Sequence, residues 1–121
     1  MIAIVDSGGA NIASVQFALE RLGAKSVLTR ETTKIASAER VLLPGVGAAP
    51  VAMGSLRDAQ LIEPIRQLRQ PVLGICLGMQ LLFGRSFEGD TDLLGILDGV
   101  CHAFTPAEGQ SVPHMGWNRL R

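Results

Sequence analysis

The sequence predicts an α/β fold: a parallel sheet with helices packed on its faces. Short strand-like runs at residues 2–5, 26–29, 40–43 and 72–75 alternate with stretches of helical periodicity. Glycine-rich loops follow the first and third of these runs, and the fourth passes without a linker into strong helix formers. In such sheets every strand ends at one edge, where ligands bind. The loop after Val5, the loop starting at Pro44 and Cys76 are therefore expected to gather there.

The first run is closed by Asp6-Ser7-Gly8-Gly9. Asn11 is a suitable N-cap for a helix with Ile12, Val15, Leu19 and Leu22 on one face and Gly23 as its stop. After the second strand, residues 30–38 are polar and fit a loop with one turn of helix. The third strand runs into Pro44-Gly45-Val46-Gly47-Ala48-Ala49-Pro50. Residues 51–69 read as helical, with Leu61, Ile62, Ile65 and Leu68 as an apolar stripe; Pro64 inside it calls for a break or a new helix start. Residues 72–75 follow Pro71 as a buried strand, apolar on both faces, and residues 77–83 as a helix. Beyond residue 88 the pattern changes. Asp90-Thr91-Asp92 and Gly95 read as loop, and residues 99–104 and 110–121 as extended, antiparallel-type strands. The expected unit is one domain, residues 1–121, ending just after a strand begins.

The hydrophobic fraction of 47% and mean hydropathy of +0.29 require a packed core. Eleven basic residues balance eleven acidic ones and are scattered, so neither nucleic acid nor an anionic membrane is an expected partner. Two cysteines make no disulfide framework; reduced thiols and a cytoplasmic location are expected. The N-terminus lacks the basic region of a signal peptide, and no stretch approaches the ~18 apolar residues of a membrane span.

Cys76 lies at the strand–helix joint inside Gly74-Ile75-Cys76-Leu77-Gly78. This is the thiol form of a nucleophile elbow, a turn so tight that flanking side chains would strike backbone. A helix N-terminus there favours the attacking thiolate. The plainer alternative is a small buried hydrophobe. A thiolate attacking a carbonyl needs N–H donors for the oxyanion. Leu77 N–H is one, and residues 45–47 are the obvious source of a second, unless that stretch is an ordinary turn or a phosphate cradle. Neither glycine loop matches the dinucleotide or Walker pattern.

A cysteine nucleophile ordinarily needs an imidazole base, and only His102 and His114 exist. Neither has a carboxylate close by in sequence, and both read as structural or exposed. Adjacent Cys101 and His102 on a strand face opposite ways and cannot share a metal; no metal and no cofactor are expected. Gln80, just under one turn into the helix, could face the site. Glu88, in the loop beyond, could meet an ammonium group. Both could equally be solvated surface residues.

Pro44-Gly45-Val46-Gly47, Gly74-Ile75-Cys76-Leu77-Gly78-Met79-Gln80-Leu81-Leu82 and Pro113-His114-Met115-Gly116-Trp117-Asn118, in this order and spacing, resemble the triad-type class I glutamine amidotransferases, specifically the glutaminase subunit of imidazole glycerol phosphate synthase. The elbow is common to the class; the Pro-His-Met-Gly-Trp-Asn block is more specific. The resemblance implies a flavodoxin-like three-layer α/β sandwich with a parallel sheet and an antiparallel extension, cut short at the C-terminus. It implies that Cys76 attacks the glutamine side-chain amide, that Val46 and Leu77 supply the oxyanion hole, and that Gly47, Gln80 and Glu88 hold glutamine, Glu88 at the α-amino end. His114, Met115, Gly116, Trp117 and Asn118 would face a TIM-barrel cyclase partner in a heterodimer that uses the ammonia in histidine biosynthesis. Two departures stand out. Ala10-Asn11 replaces the frequent Gly-Asn of the family's first loop. The family's His-x-Glu, which carries the base and its orienting acid, has no counterpart among these residues. The alternative is thus a catalytically inactive docking module for the cyclase. An unrelated elbow-cysteine hydrolase fits the block at residues 113–118 poorly.

Overall fold

Four short strands run parallel: β1 (Ile2–Val5), β2 (Ser26–Thr29), β3 (Arg40–Gly45) and β4 (Val72–Cys76), in the spatial order β2-β1-β3-β4. The computed structural model describes residues 1–9 and 11–121, so the Ala10 position of the first loop lies outside the described residues. Five helices connect or follow the strands: α1 (Ile12–Arg21), α2 (Thr32–Ser37), α3 (Ala49–Asp58), α4 (Ile62–Arg66) and α5 (Leu77–Leu81). The strand order reverses direction at β1. Right-handed crossovers then put α1 on one face and α2, α3 and α4 on the other, which gives the expected three layers.

The main core lies on the second face. Ala3, Val5, Val41 and Leu43 point there from the strands and pack with Ile35, Met53, Leu56, Leu61, Ile65, Leu77 and Leu81. Ile4 and Leu42, at alternate positions, are buried on the opposite face. Coverage of that face is thin: α1 packs against β2 but has no fully buried residue, and Leu22, expected on its apolar stripe, is exposed. Asn11 is the N-cap residue, yet its side chain makes no capping hydrogen bond; its carbonyl accepts one from the Ser14 hydroxyl. Gly23 ends the helix with φ +68° and donates to the Glu20 carbonyl.

The break in the 51–69 region falls at Gln60, where φ is 57°. Pro64 lies in the first turn of α4, where its missing N–H has no intrahelical partner to lose.

The reading of residues 72–75 as a strand buried on both faces is corrected. β4 is an edge strand, with Leu73 58% and Ile75 37% exposed, and α1, the helix on that face, packs against β2 at the opposite edge. The helix expected over 77–83 ends at Leu81. Residues 99–104 and 110–121 do not form the expected antiparallel strands. A second, three-stranded sheet of order β6-β5-β7 is built from β5 (Arg85–Ser86), β6 (Thr91–Asp92) and β7 (Val100–Cys101). β6, in the stretch read as loop, pairs antiparallel with β5, whereas β7 pairs parallel with it. Beyond them residues 107 and 110 form an isolated antiparallel bridge. The physical reason is composition: residues 105–121 carry scattered apolar side chains, almost all exposed, with no alternating face to bury. Arg66 ties this extension to the main body by donating to the Leu94 carbonyl at 2.7 Å. No described helix is long and apolar enough to cross a membrane.

Two substitutions check this packing. Leu73→Lys, at a side chain 58% exposed, should change stability by no more than about 0.5 kcal/mol in urea denaturation. Gly54→Ala, inside α3 with open space around its Cα, should raise stability by about 0.5–1 kcal/mol in urea denaturation.

Candidate active site

The site is built at the joint of β4 and α5. Cys76 has φ 56° and ψ −123°, a conformation that an L-residue holds at a cost of about 1–3 kcal/mol and that recurs at functional sites. Two glycines make it possible. A Cβ on Gly78 would stand 1.8 Å from the Leu43 carbonyl oxygen, and one on Gly74 2.5 Å from the Met79 Cα. The flanking positions are thus closed to any side chain, as the G-x-C-x-G frame predicts. The Cys76 residue is exposed and Leu77 behind it is buried, so the turn presents the cysteine and anchors the next residue in the core. The alternative of a small buried hydrophobe does not hold for Cys76.

The β3–β4 ladder pairs Gly45 with Cys76 and Pro44 with Ile75. Val46 and Leu77 are the next residues after the two strands. Gly45 is glycine for contact reasons too: a Cβ there would lie 2.7 Å from Gly78 N. Gly47 has φ +87° and open space around it, and Val46 is 47% exposed. The first glycine loop joins the same edge. The Ser7 hydroxyl, 2% exposed, donates to the Pro44 carbonyl at 2.8 Å. A side chain on Gly9 would touch Val46 Cγ2 at 3.8 Å. The Asp6 carboxylate accepts from Gly8 N–H and from Arg30 Nε at 3.0 Å, which holds that loop. The three segments expected at the edge therefore meet there, beside the switch point between β1 and β3.

Glu88 begins a single 3₁₀ turn, Glu88–Asp90. Its Oε2 accepts from the Ala49 N–H at 3.0 Å, at the start of α3, and its own N–H donates to the Ser86 hydroxyl. A Cβ on Gly89 would lie 2.4 Å from Pro50 Cγ, so this turn is pressed against the same helix start. Gln80 is half-buried, and its carbonyl accepts from Cys101 Sγ at 3.7 Å. The His102 ring stacks on Phe87 with centroids 4.6 Å apart, and His114 meets Phe104 edge-on at 6.2 Å. No hydrogen bond joins either ring to Cys76 among the described residues. Met115 and Trp117 are exposed, as are His114, Gly116 and Asn118.

Two contacts escaped the sequence: Ser7 with Pro44, and Glu88 with Ala49. Each binds a side chain to a main-chain atom far along the chain; the sequence offers Glu88 only as a partner for an ammonium group and Ser7 only as part of a glycine loop.

The elbow thus presents an exposed cysteine at positive φ at the edge of a parallel sheet of order β2-β1-β3-β4. The family model "Glutamine amidotransferase class-I" matches residues 3–120, and the chain belongs to that family. The imidazole glycerol phosphate synthase subunit HisH of Xanthomonas campestris pv. campestris is 58% identical over 119 residues, which cover 98% of this chain and 60% of the relative. The same subunit from Xanthomonas axonopodis pv. citri is 56% identical and that from Xylella fastidiosa 53%, each with the same coverage. The chain thus spans 60% of the length of these curated relatives. A solved glutamine amidotransferase structure superposes with a TM-score of 0.72 at 18% identity, covering 84% of this chain and 56% of that one, a likeness of fold.

Gly78→Ala should cost about 3 kcal/mol or prevent folding, since backbone rather than a movable side chain stands in the way. Comparing its urea midpoint with that of Gly54→Ala checks this.

Proposed function

We propose that this chain forms the nucleophile-bearing part of a glutaminase that feeds ammonia to imidazole glycerol phosphate synthesis in histidine biosynthesis. The observation that carries the reading is Cys76, exposed, at φ 56°, and opposite Gly45 in the β3–β4 ladder. The relatives at 53–58% identity, all described as HisH subunits of that synthase, support it.

In this mechanism the Cys76 thiolate adds to the side-chain carbonyl carbon of glutamine. The carbonyl electron pair moves to oxygen, and the N–H groups of Val46 and Leu77 donate hydrogen bonds to the oxyanion. Collapse of the intermediate breaks the C–N bond, and the nitrogen leaves as ammonia after taking a proton. Water then hydrolyses the glutamyl thioester to glutamate and frees the thiolate. Gly47, Gln80 and Glu88 hold the substrate, Glu88 by its carboxylate against the α-ammonium group. The exposed His114, Met115, Gly116, Trp117 and Asn118 form the face toward a TIM-barrel cyclase, whose cover over the sheet edge would keep ammonia from water.

The proton donor of the family, the His of a His-x-Glu pair, has no counterpart in residues 1–121. The 121-residue chain by itself is therefore expected to show no glutamine turnover. Turnover that disappears in His102→Ala or His114→Ala would assign one of those rings as the base. A glutamine-like chloroketone, applied to the chain joined in frame to the C-terminal portion of the Xanthomonas campestris relative, should attach to Cys76, and Cys76→Ser should abolish it. Attachment at Cys101 instead would overturn the assignment.

A further inference from the structure

Glu88 lies at the surface, yet its main chain is fastened on both sides. It belongs to the loop 87–90 between β5 and β6, and the ladder pairs Ser86 with Thr91 at the base of that loop. Residues paired in this way point their side chains to one face. The Ser86 hydroxyl, in a residue 2% exposed, accepts from the Glu88 N–H at 3.1 Å. The Thr91 hydroxyl donates to the Glu88 carbonyl at 3.0 Å. Between the two the chain bends sharply, with φ 62° at Gly89 and 48° at Asp90. The carboxylate that emerges accepts at Oε2 from the Ala49 N–H, where α3 begins, and its Oε1 has no hydrogen bond among the described residues.

We propose that Ser86 and Thr91 are positioning residues, whose hydroxyls hold the main chain of Glu88 so that its carboxylate is kept at the start of α3 for the α-ammonium group of the substrate. The inference rests on the glutaminase reading, in which Glu88 grips that group. A glutamate on a free loop loses rotamer and backbone freedom when it binds a ligand, and that loss weakens binding. Ser86 removes part of it in advance. It sits in the central strand of the second sheet, paired with Thr91 on one side and Cys101 on the other, so the acceptor for Glu88 N–H does not move with the loop. The pairs of Arg85 with Asp90 and Asp92 hold the same loop, but they are exposed, and ion pairs of that kind contribute little.

The placement of the carboxylate is tested on the 121-residue chain by hydrogen–deuterium exchange at the Ala49 amide, whose acceptor among the described residues is Glu88 alone. That amide should exchange about tenfold faster in Ser86→Ala and in Thr91→Val than in the parent, while those of β1 stay unchanged. Unaltered exchange at Ala49 in both variants overturns the proposal. Its consequence for the substrate is tested on the chain joined to the C-terminal portion of the Xanthomonas campestris relative. Ser86→Ala should raise KM for glutamine about fivefold, the worth of one neutral hydrogen bond, with kcat within about twofold. Added to Glu88→Gln, it should change kcat/KM by less than about twofold, because the charge it positions is already gone. An unchanged KM in the single variant, or a full fivefold loss in the double one, overturns the proposal; the second result would assign Ser86 to packing. Should Ser86→Ala fail to fold, Thr91→Val, on a half-buried residue and close in volume, decides by the same comparison. An inactive parent fusion would refute the glutaminase reading, while exchange at Ala49 would still decide the positioning.

Discussion

The approach of α5 to β3 is the constraint on which the site depends. Where the chain turns from β4 into α5, Gly78 stands so near the Leu43 carbonyl that even a methyl group could not enter. Because the helix start lies flush against the neighbouring strand, the residue at the joint must take a positive φ, and Cys76 does. Such strain persists only where the surroundings over-determine it. Here they do so through Leu77 and Leu81, buried in the core directly behind the elbow, and through the ladder that pairs Gly45 with Cys76.

That single close contact also explains the neighbouring loops. With α5 pressed onto β3, the segment leaving β3 has room only for glycine at Gly45, and it emerges next to the cysteine. The reversal of strand direction at β1 adds the Asp6-Ser7-Gly8-Gly9 loop to the same edge, where Ser7 reaches Pro44. Glu88 arrives from the small second sheet, which Arg66 fastens to the body through the Leu93 and Leu94 carbonyls. Each loop contributes a main-chain or side-chain atom, and none could be placed without the sheet.

The packing is lopsided. One face of the sheet meets four helices and carries nearly all the core; the other has α1, with no fully buried residue, and leaves Leu73 and Ile75 of the edge strand open to water. Apolar side chains of that size on an edge strand are costly to leave uncovered, by roughly 25 cal/mol per Å² of exposed apolar surface. The stretch around Trp117, with Met115 beside it, is likewise open and without regular structure.

The four strands of the main sheet, the helices and the elbow were legible in the sequence because each is a local matter: short strand-like runs, helical spacing, and glycines two positions either side of Cys76. Pro64 announced a helix start for the same reason, since its ring acts within its own turn. The edge position of β4 and the parallel pairing of β7 were not legible, because an apolar run looks alike in the middle of a sheet and at its border. Nor were the contacts of Ser7 with Pro44 and of Glu88 with Ala49. In each, one partner is a main-chain group, the Pro44 carbonyl or the Ala49 N–H, of a kind found all along the chain that leaves no mark in the sequence. The amino-acid order determined which residue stands at the elbow and how its turn is made; the assembled sheet alone decided what stands around it, because those neighbours are brought together by topology and not by side-chain identity.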